Sequence, residues 1–168
     1  MSVVAWDGEW LAADRQGTSG NLKVQVKKIA WLADDTRVAW VGDLEYGMAL
    51  VDWYAAGQDP AKWPEFQKDK DNWTRLIVVR PDGTAGEYQQ LPVFQPVQEK
   101  FMAWGGGRDY AMAAMHLGKN AIEAVEVAQV FDLSCGFGHD AYPVGGGRFS
   151  MPTENYQRVQ IDQPGAPL

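Results

Sequence analysis

The order of the predicted elements constrains the fold of this chain more than any other feature. Strand-like segments come first, then one helix, then more strands, and then two helices back to back. Strands and helices that cluster in this way favour an α+β layered fold, because a parallel α/β fold would alternate them. A length of 168 residues suits one domain with a sizeable core. We therefore predict a single α+β domain over residues 1–168.

The first predicted strand begins directly behind Met1 and Ser2. Two apolar runs, 3–6 and 10–13, flank the dipeptide Asp7-Gly8. Asp-Gly provides the positive φ values that a tight two-residue turn requires. The N-terminal segment is therefore predicted to be a sheet strand within a hairpin. Alternating or apolar runs predict further strands at 22–26, 29–32, 37–41, 73–80, 87–91 and 100–104, with one more near 156–161.

Apolar spacing and capping residues predict three helices. The first covers 44–56, with Asp43 as its N-cap and Gly57 at its end. The other two cover 108–117 and 120–132, and the last opens with a capping box, Asn120-x-x-Glu123. The polar segment 57–70 between these groups is predicted to be an exposed insertion whose Trp63 and Phe66 contact a neighbouring subunit.

Charge and cysteine content exclude several classes of protein. The chain has 15 basic and 22 acidic residues, a net charge of -7, which argues against binding nucleic acid through its phosphates. A single cysteine, Cys135, excludes an internal disulfide and suits a reducing compartment. No apolar run reaches the roughly 18 residues that a transmembrane helix needs, and no signal peptide is recognisable. We predict a soluble cytoplasmic protein with neither nucleic acid nor membrane as a partner.

Three common kinds of site find little support in the sequence. His116 and His139 are the only histidines, and neither lies near a nucleophile elbow. No group of potential ligands has a recognised metal-binding spacing. Gly105-Gly-Gly precedes a predicted helix, but no Lys-Ser/Thr follows as in a P-loop, so close backbone packing is the preferred interpretation. We therefore predict no metal and no cofactor.

The N-terminus offers a different chemistry. Methionine is usually removed when a small residue follows, and here removal would leave Ser2 with a free α-amine. That amine, with an ordinary pKa of about 7.7–8.0, can act as the base that a serine hydroxyl needs. Asp14 and Lys28 are predicted to reach Ser2 across one sheet and to tune this amine. An ordinary surface ion pair is the alternative, and composition alone favours it.

Several stretches in register resemble a known family. SVVAWDGEWLAADRQGTSGN followed by VKKI resembles the opening of proteasome β-type subunits and of the bacterial protease HslV, and short HslV-like chains of bacteria and phages are more similar still. WVGDLEYGMALVDWY, FMAWGGGRDYAMAAMHLG and AIEAVEVAQVFDLSCG follow in the family's order, so the resemblance covers about residues 2–137. It implies the four-layer αββα fold of N-terminal-nucleophile hydrolases, ring-forming subunits and peptide-bond hydrolysis through an acyl-enzyme. Residues from about 138 to 168 would form a divergent C-terminal extension.

The resemblance also assigns residue roles. Ser2 matches the N-terminal threonine nucleophile, Asp14 and Lys28 match the aspartate and the lysine that tune it, and Asp132 matches the aspartate near the amine. The residues matched to substrate binding and oxyanion stabilisation are Thr18, Gly42, Leu44 and Gly106. A peptide or protein would be the substrate. HslV itself works with an unfoldase, so an ATPase is a possible further partner.

Several positions depart from the family pattern. Ser2 lacks the methyl group that fixes a threonine rotamer, so slower turnover is expected. Gly106 and Cys135 replace two family serines, and an unprocessed Met1 would block the amine. A catalytically inactive homologue with a structural or assembly role is therefore the alternative, in which Trp63, Phe66 and the C-terminal tail form contact surfaces. An unrelated binding domain is the third possibility.

Overall fold

A computed structural model describes residues 2–65 and 74–144. Within these ranges the chain forms two antiparallel sheets, a two-stranded ribbon and three α-helices. The elements are, in chain order, β1 (Val3–Trp6), β2 (Trp10–Asp14), β3 (Gln16–Ser19), β4 (Leu22–Gln25), β5 (Ile29–Trp31), β6 (Arg37–Val41), α1 (Leu44–Ala55), a 3-10 turn (Pro60–Lys62), β7 (Arg75–Val79), β8 (Ala85–Tyr88), β9 (Gln95–Pro96), β10 (Met102–Gly105), α2 (Arg108–His116), α3 (Ala121–Phe131) and β11 (His139–Pro143).

The two sheets pack face to face between two helical layers. One sheet has the strand order β10-β1-β2-β11 and the other β5-β6-β7-β8-β9. Because successive side chains of a strand point to opposite faces, Val3 packs against α2 and α3 while Val4 packs against the second sheet. On the far side of the second sheet, Leu50 and Trp53 of α1 pack against Val38 of β6. The α+β fold predicted from the order of the elements is confirmed, and so is the αββα layering that the resemblance implies.

The predicted helices and their caps are confirmed. Asp43 accepts the N–H of Tyr46 at 2.9 Å and so caps α1. At α3, the Asn120 side chain accepts the N–H of Glu123, and the Glu123 carboxylate accepts the N–H of Asn120. Each cap supplies an acceptor for a first-turn N–H that has no partner inside the helix.

The turn of the first hairpin lies one residue later than predicted. Asp7 donates its N–H to the carbonyl of Trp10 at 3.3 Å, so Gly8 and Glu9 are the two central residues. Gly8 supplies the positive φ, at 89°. Asp7 instead stabilises the turn through its carboxylate, which accepts the N–H groups of Glu9 and Trp10.

The structure contains strands that the sequence did not indicate. β3 pairs with β4 in a ribbon separate from both sheets, and the short β9 extends the second sheet. β11 pairs with β2, His139 opposite Asp14 and Pro143 opposite Trp10, so the first sheet continues beyond Cys135. The second hairpin is confirmed, although β8 begins and ends before the predicted 87–91.

Trp63, which was predicted to contact a neighbour, is half-buried against its own chain. Its ring lies edge-on to Trp53, with ring centroids 4.7 Å apart, and also contacts Tyr88. Phe66, Trp73 and the possible strand at 156–161 lie outside the described residues. In the part of the chain that the structure describes, none of the helices has the length and apolar character needed to cross a membrane.

Candidate active site

A buried ion pair lies at the centre of the candidate site. The Lys28 ammonium is 2.7 Å from Oδ1 of Asp14, and both side chains are buried. The prediction that both residues belong to one sheet was wrong. Asp14 ends β2 of the first sheet, whereas Lys28 directly precedes β5 of the second. The pair therefore forms where the two sheets face each other.

The Asp14 carboxylate is held by backbone N–H groups from three segments. Oδ1 accepts the N–H of Val3 at 2.9 Å, and Oδ2 accepts those of Gln16 and Gly136, each at 3.1 Å. The Val3 nitrogen is bonded to the carbonyl carbon of Ser2. Standard bond lengths then place the Ser2 Cα within about 6 Å of the carboxylate. The first strand thus brings Ser2 beside the ion pair.

Burial sets the electrostatics of Lys28. Removal from water lowers the pKa of its ammonium below the usual value, and the neighbouring Asp14 carboxylate partly opposes that effect. The Lys28 Nζ also donates to the carbonyl of Gln16 at 2.6 Å. A buried pair is stable only when hydrogen bonds satisfy its remaining donors and acceptors, and the contacts of Asp14 and Lys28 meet much of that requirement.

A turn of three glycines packs against Ser2. Ser2 is 3% exposed, and its carbonyl accepts the N–H of Gly107 at 3.3 Å. Gly105 lies opposite Val3 in the β1–β10 pairing, and Gly106 lies exposed between Gly105 and Gly107. The packing interpretation of these glycines is supported, because a Cβ at Gly105 would lie 2.1 Å from the Ser2 carbonyl oxygen.

We expect Gly105→Ala to destabilise the protein by at least about 2 kcal/mol, because the methyl group overlaps Ser2 and the φ of +95° is unfavourable for alanine. Gly118→Ala is the matched control: its φ is +92°, but a Cβ there would have no atom within 4 Å. Urea unfolding of both variants measures the difference. Equal losses of stability would show that the contact with Ser2 contributes nothing.

Asp132 lies directly after α3, and its side chain forms hydrogen bonds with Ser134. Its Oδ1 accepts both the N–H of Ser134, at 2.7 Å, and the Ser134 hydroxyl, at 2.6 Å. Cys135 follows, buried, and a Cβ at Gly107 would lie 2.8 Å from its sulfur. The segment 132–136 is therefore adjacent to the glycine turn that contacts Ser2. No hydrogen bond of the described residues joins the Asp132 side chain to Ser2.

Cys135 is a poor candidate for chemistry of its own. Burial, assisted by the nearby Asp14 and Asp132 carboxylates, raises the pKa of its thiol to about 12. The thiol is the weakly nucleophilic form of cysteine. Cys135 is accordingly a neutral packing residue at neutral pH.

Two of the predicted substrate and oxyanion residues lie on the exposed side of the site. Gly42 follows β6 with a φ of +106°, and the N–H of the next residue donates to the Thr74 hydroxyl at 2.9 Å. A Cβ at Gly105, which packs against Ser2, would also lie 3.3 Å from the Cγ1 of Val41, the residue before Gly42. The end of β6 therefore lies near Ser2. Leu44, 42% exposed, begins α1 two residues further on.

Thr18 is the third predicted substrate residue. It lies exposed on β3, opposite Lys23 of β4. The hydrogen bonds of the described residues join neither Thr18, Gly42 nor Leu44 to Ser2. Gln16, which begins the same strand as Thr18, contacts the ion pair directly.

Gln16 and Thr74 are among the site residues that were not predicted from sequence. Gln16 is buried and contacts both Asp14 and Lys28, yet a lone glutamine is usually exposed and gives no signal. Thr74 holds the turn after β6, and only the tertiary structure brings it there. Residues 2–65 and 74–144 contain no group of three or more His, Cys, Asp or Glu side chains that could hold a metal ion.

The described chain thus has four layers in the order αββα, with a buried acid–lysine pair beside its first strand. Comparison with solved structures shows that this fold is similar to that of HslV. BPH of Thiobacillus denitrificans, in complex with epoxomicin, superimposes with a TM-score of 0.66 over 86% of this chain and 98% of its own, at 20% identity. Eukaryotic HslV from Trypanosoma brucei does so with a TM-score of 0.63 over 85% and 98%, at 18% identity.

The comparison therefore confirms the proteasome β-type and HslV-like fold that the sequence resemblance implied. Identities of 18–20% support a shared fold and leave the chemistry to be argued from the site itself. No family model and no curated protein sequence matches the chain.

Proposed function

We propose that this chain is a proteasome-like N-terminal-nucleophile peptidase in which Ser2, freed by removal of Met1, is the nucleophile. The observation that carries the proposal is the hydrogen bond from the Val3 N–H to Asp14, which joins the first strand to the buried Asp14–Lys28 pair. An ion pair with a purely structural role would not need a hydrogen bond from Val3, the residue that follows the potential nucleophile. The HslV-like fold supports the same proposal.

In the proposed reaction the Ser2 hydroxyl oxygen attacks the carbonyl carbon of a peptide bond. The Ser2 α-amine accepts the hydroxyl proton, and the carbonyl oxygen takes up negative charge in a tetrahedral intermediate. The intermediate collapses as the carbon–nitrogen bond breaks, and the α-ammonium passes its proton to the leaving amine. A seryl ester remains. Water, deprotonated by the same amine, then hydrolyses the ester and regenerates Ser2.

The surrounding residues have supporting roles in this proposal. The Lys28 ammonium lowers the pKa of the Ser2 amine by like-charge repulsion, and Asp14 holds Lys28 in place. Asp132, fixed by Ser134, supplies negative charge near the amine. The N–H of Gly42 stabilises the oxyanion. Thr18, Leu44 and Gly106 line the path of the substrate.

The proposed working form is a homo-oligomeric ring in the cytoplasm that cleaves peptides or unfolded proteins. An ATPase unfoldase is a candidate partner. The alternative function, an inactive homologue with a structural or assembly role, is favoured by Gly106 and by the neutral thiol of Cys135, which replace two hydroxyl groups of the family pattern.

Hydrolysis of fluorogenic peptides by protein whose mass shows Ser2 as the first residue tests the proposal. We expect Ser2→Ala to reduce kcat/KM by at least about 10³-fold, because the nucleophile is lost. Ser19→Ala, an exposed hydroxyl on β3, is the matched control and should retain activity. If Ser2→Ala hydrolysed the peptides as fast as the wild type, Ser2 would not be the nucleophile. Absence of hydrolysis by the trimmed protein would support the structural alternative.

A further inference from the structure

Gln16 is a buried polar residue at the start of a largely exposed ribbon. It is 4% exposed, whereas Thr18, Ser19 and Gln25 of β3 and β4 are exposed. Burying an amide side chain costs free energy unless its hydrogen bonds are made. Its burial at this position therefore requires an explanation from its contacts.

The contacts of Gln16 join three segments of the site. Its backbone N–H donates to Oδ2 of Asp14 at 3.1 Å, and its carbonyl accepts the Lys28 ammonium at 2.6 Å. Its side-chain amide donates to the carbonyl of Leu133 at 2.9 Å. Its backbone thus contacts both members of the ion pair, while its side chain reaches the segment 132–136.

The side chain also restricts which residue can follow Cys135. A Cβ at Gly136 would lie 2.6 Å from the Gln16 Oε1, so an alanine there would displace the amide. Gly136 itself donates its N–H to Oδ2 of Asp14 at 3.1 Å. The Gln16 amide therefore holds segment 132–136 where Gly136 can complete the hydrogen bonding of Asp14.

We propose that Gln16 is a positioning residue, whose side chain holds segment 132–136 against the Asp14–Lys28 pair and excludes water from it. This inference rests on the proposed peptidase function, since the pair acts on the Ser2 amine. Without the amide, Leu133 would lack its donor and the segment would move away from Asp14. Water would then screen the Lys28 charge, because exposed charges interact much more weakly than buried ones.

Gln16→Met tests the inference, since methionine keeps the length of the side chain and removes its amide. We expect kcat to fall by about 10–100-fold while KM changes by less than about two-fold. The acid limb of the kcat/KM pH profile should move to higher pH. Once water screens the Lys28 charge, Lys28 lowers the pKa of the Ser2 α-amine by less. Gln25→Met, the same substitution at the exposed residue opposite Gln16 in the ribbon, is the control and should match the wild type.

Hydrogen exchange of the Gly136 amide separates a failure of this inference from a failure of the proposed function. We expect exchange at Gly136 to accelerate by about ten-fold or more in Gln16→Met and not in Gln25→Met, whether or not the protein hydrolyses peptides. The positioning role would be overturned if Gln16→Met left the exchange rate of the Gly136 amide unchanged. It would also be overturned if Gln16→Met were active and the acid limb of its kcat/KM profile stayed at the wild-type pH. If Gln16→Met does not fold, Gly136→Ala tests the same contact from the other side and should give the same two shifts.

Discussion

Lys28→Ala is expected to reduce peptide hydrolysis by at least about 10²-fold and to leave the oligomeric state unchanged. The reason is electrostatic: without Lys28 the like-charge repulsion is lost and the unbalanced Asp14 carboxylate favours the α-ammonium, so the pKa of the Ser2 amine rises above its ordinary value of about 7.7–8.0. A rise to about 9 leaves only about one amine in a hundred neutral at pH 7. The hydroxyl then lacks its base. Steady-state kinetics and size-exclusion chromatography measure the two parts of this prediction, and unchanged cleavage would remove the mechanism.

The same substitution should also cost stability, and the two effects must be separated. Removing Lys28 leaves the Asp14 carboxylate buried without its cation, which typically costs about 3–5 kcal/mol. Kinetics should therefore be measured where urea unfolding shows Lys28→Ala to be folded. Lys27→Ala, an exposed neighbour on the same segment, is the matched control and should change neither activity nor stability.

The layered fold was predictable because its strongest signals are local. Apolar runs on both sides of Asp7-Gly8 predict the first hairpin, and the cap residues Asp43 and Asn120 predict where α1 and α3 begin. The strands β3 and β11 lack such signals. Gln16–Ser19 is polar and contains a glycine, and His139–Pro143 follows a glycine-rich stretch and ends in proline. Both are strands because of the partner beside them, β4 and β2 respectively.

The residues of the Asp14–Lys28 pair were predictable from the sequence, and the geometry that brings them together was not. The resemblance indicated Asp14 and Lys28, and the order of the predicted strands suggested that both belong to one sheet. In the structure the ion pair joins the two sheets. Gln16 could not be identified, because its burial depends on the loop that follows α3. Hydrogen bonds between segments distant in sequence are decided by tertiary packing, which local patterns do not encode.

Blocking the Ser2 amine is expected to have an effect as large as removing Lys28. A chain with a removable N-terminal extension, cleaved in vitro to leave Ser2 first, allows comparison of the same protein before and after cleavage. We expect kcat/KM to rise by about 10²–10⁴-fold on cleavage, because an amide nitrogen cannot accept the hydroxyl proton and a free amine can. Intact mass confirms the cleavage, and Ser2→Ala with the same extension should remain inactive throughout.

The pH dependence of the cleaved protein identifies the base. The amine acts only when neutral, so kcat/KM should rise with pH through the pKa of the amine and level off above it. Like-charge repulsion from Lys28 lowers that pKa, so the rise should be centred below about 7.7–8.0 in the wild type and shift upward in any residual activity of Lys28→Ala. A limb that stays in place in Lys28→Ala would mean that another group accepts the proton. Equal activity before and after removal of the extension would show that the Ser2 amine is not the base.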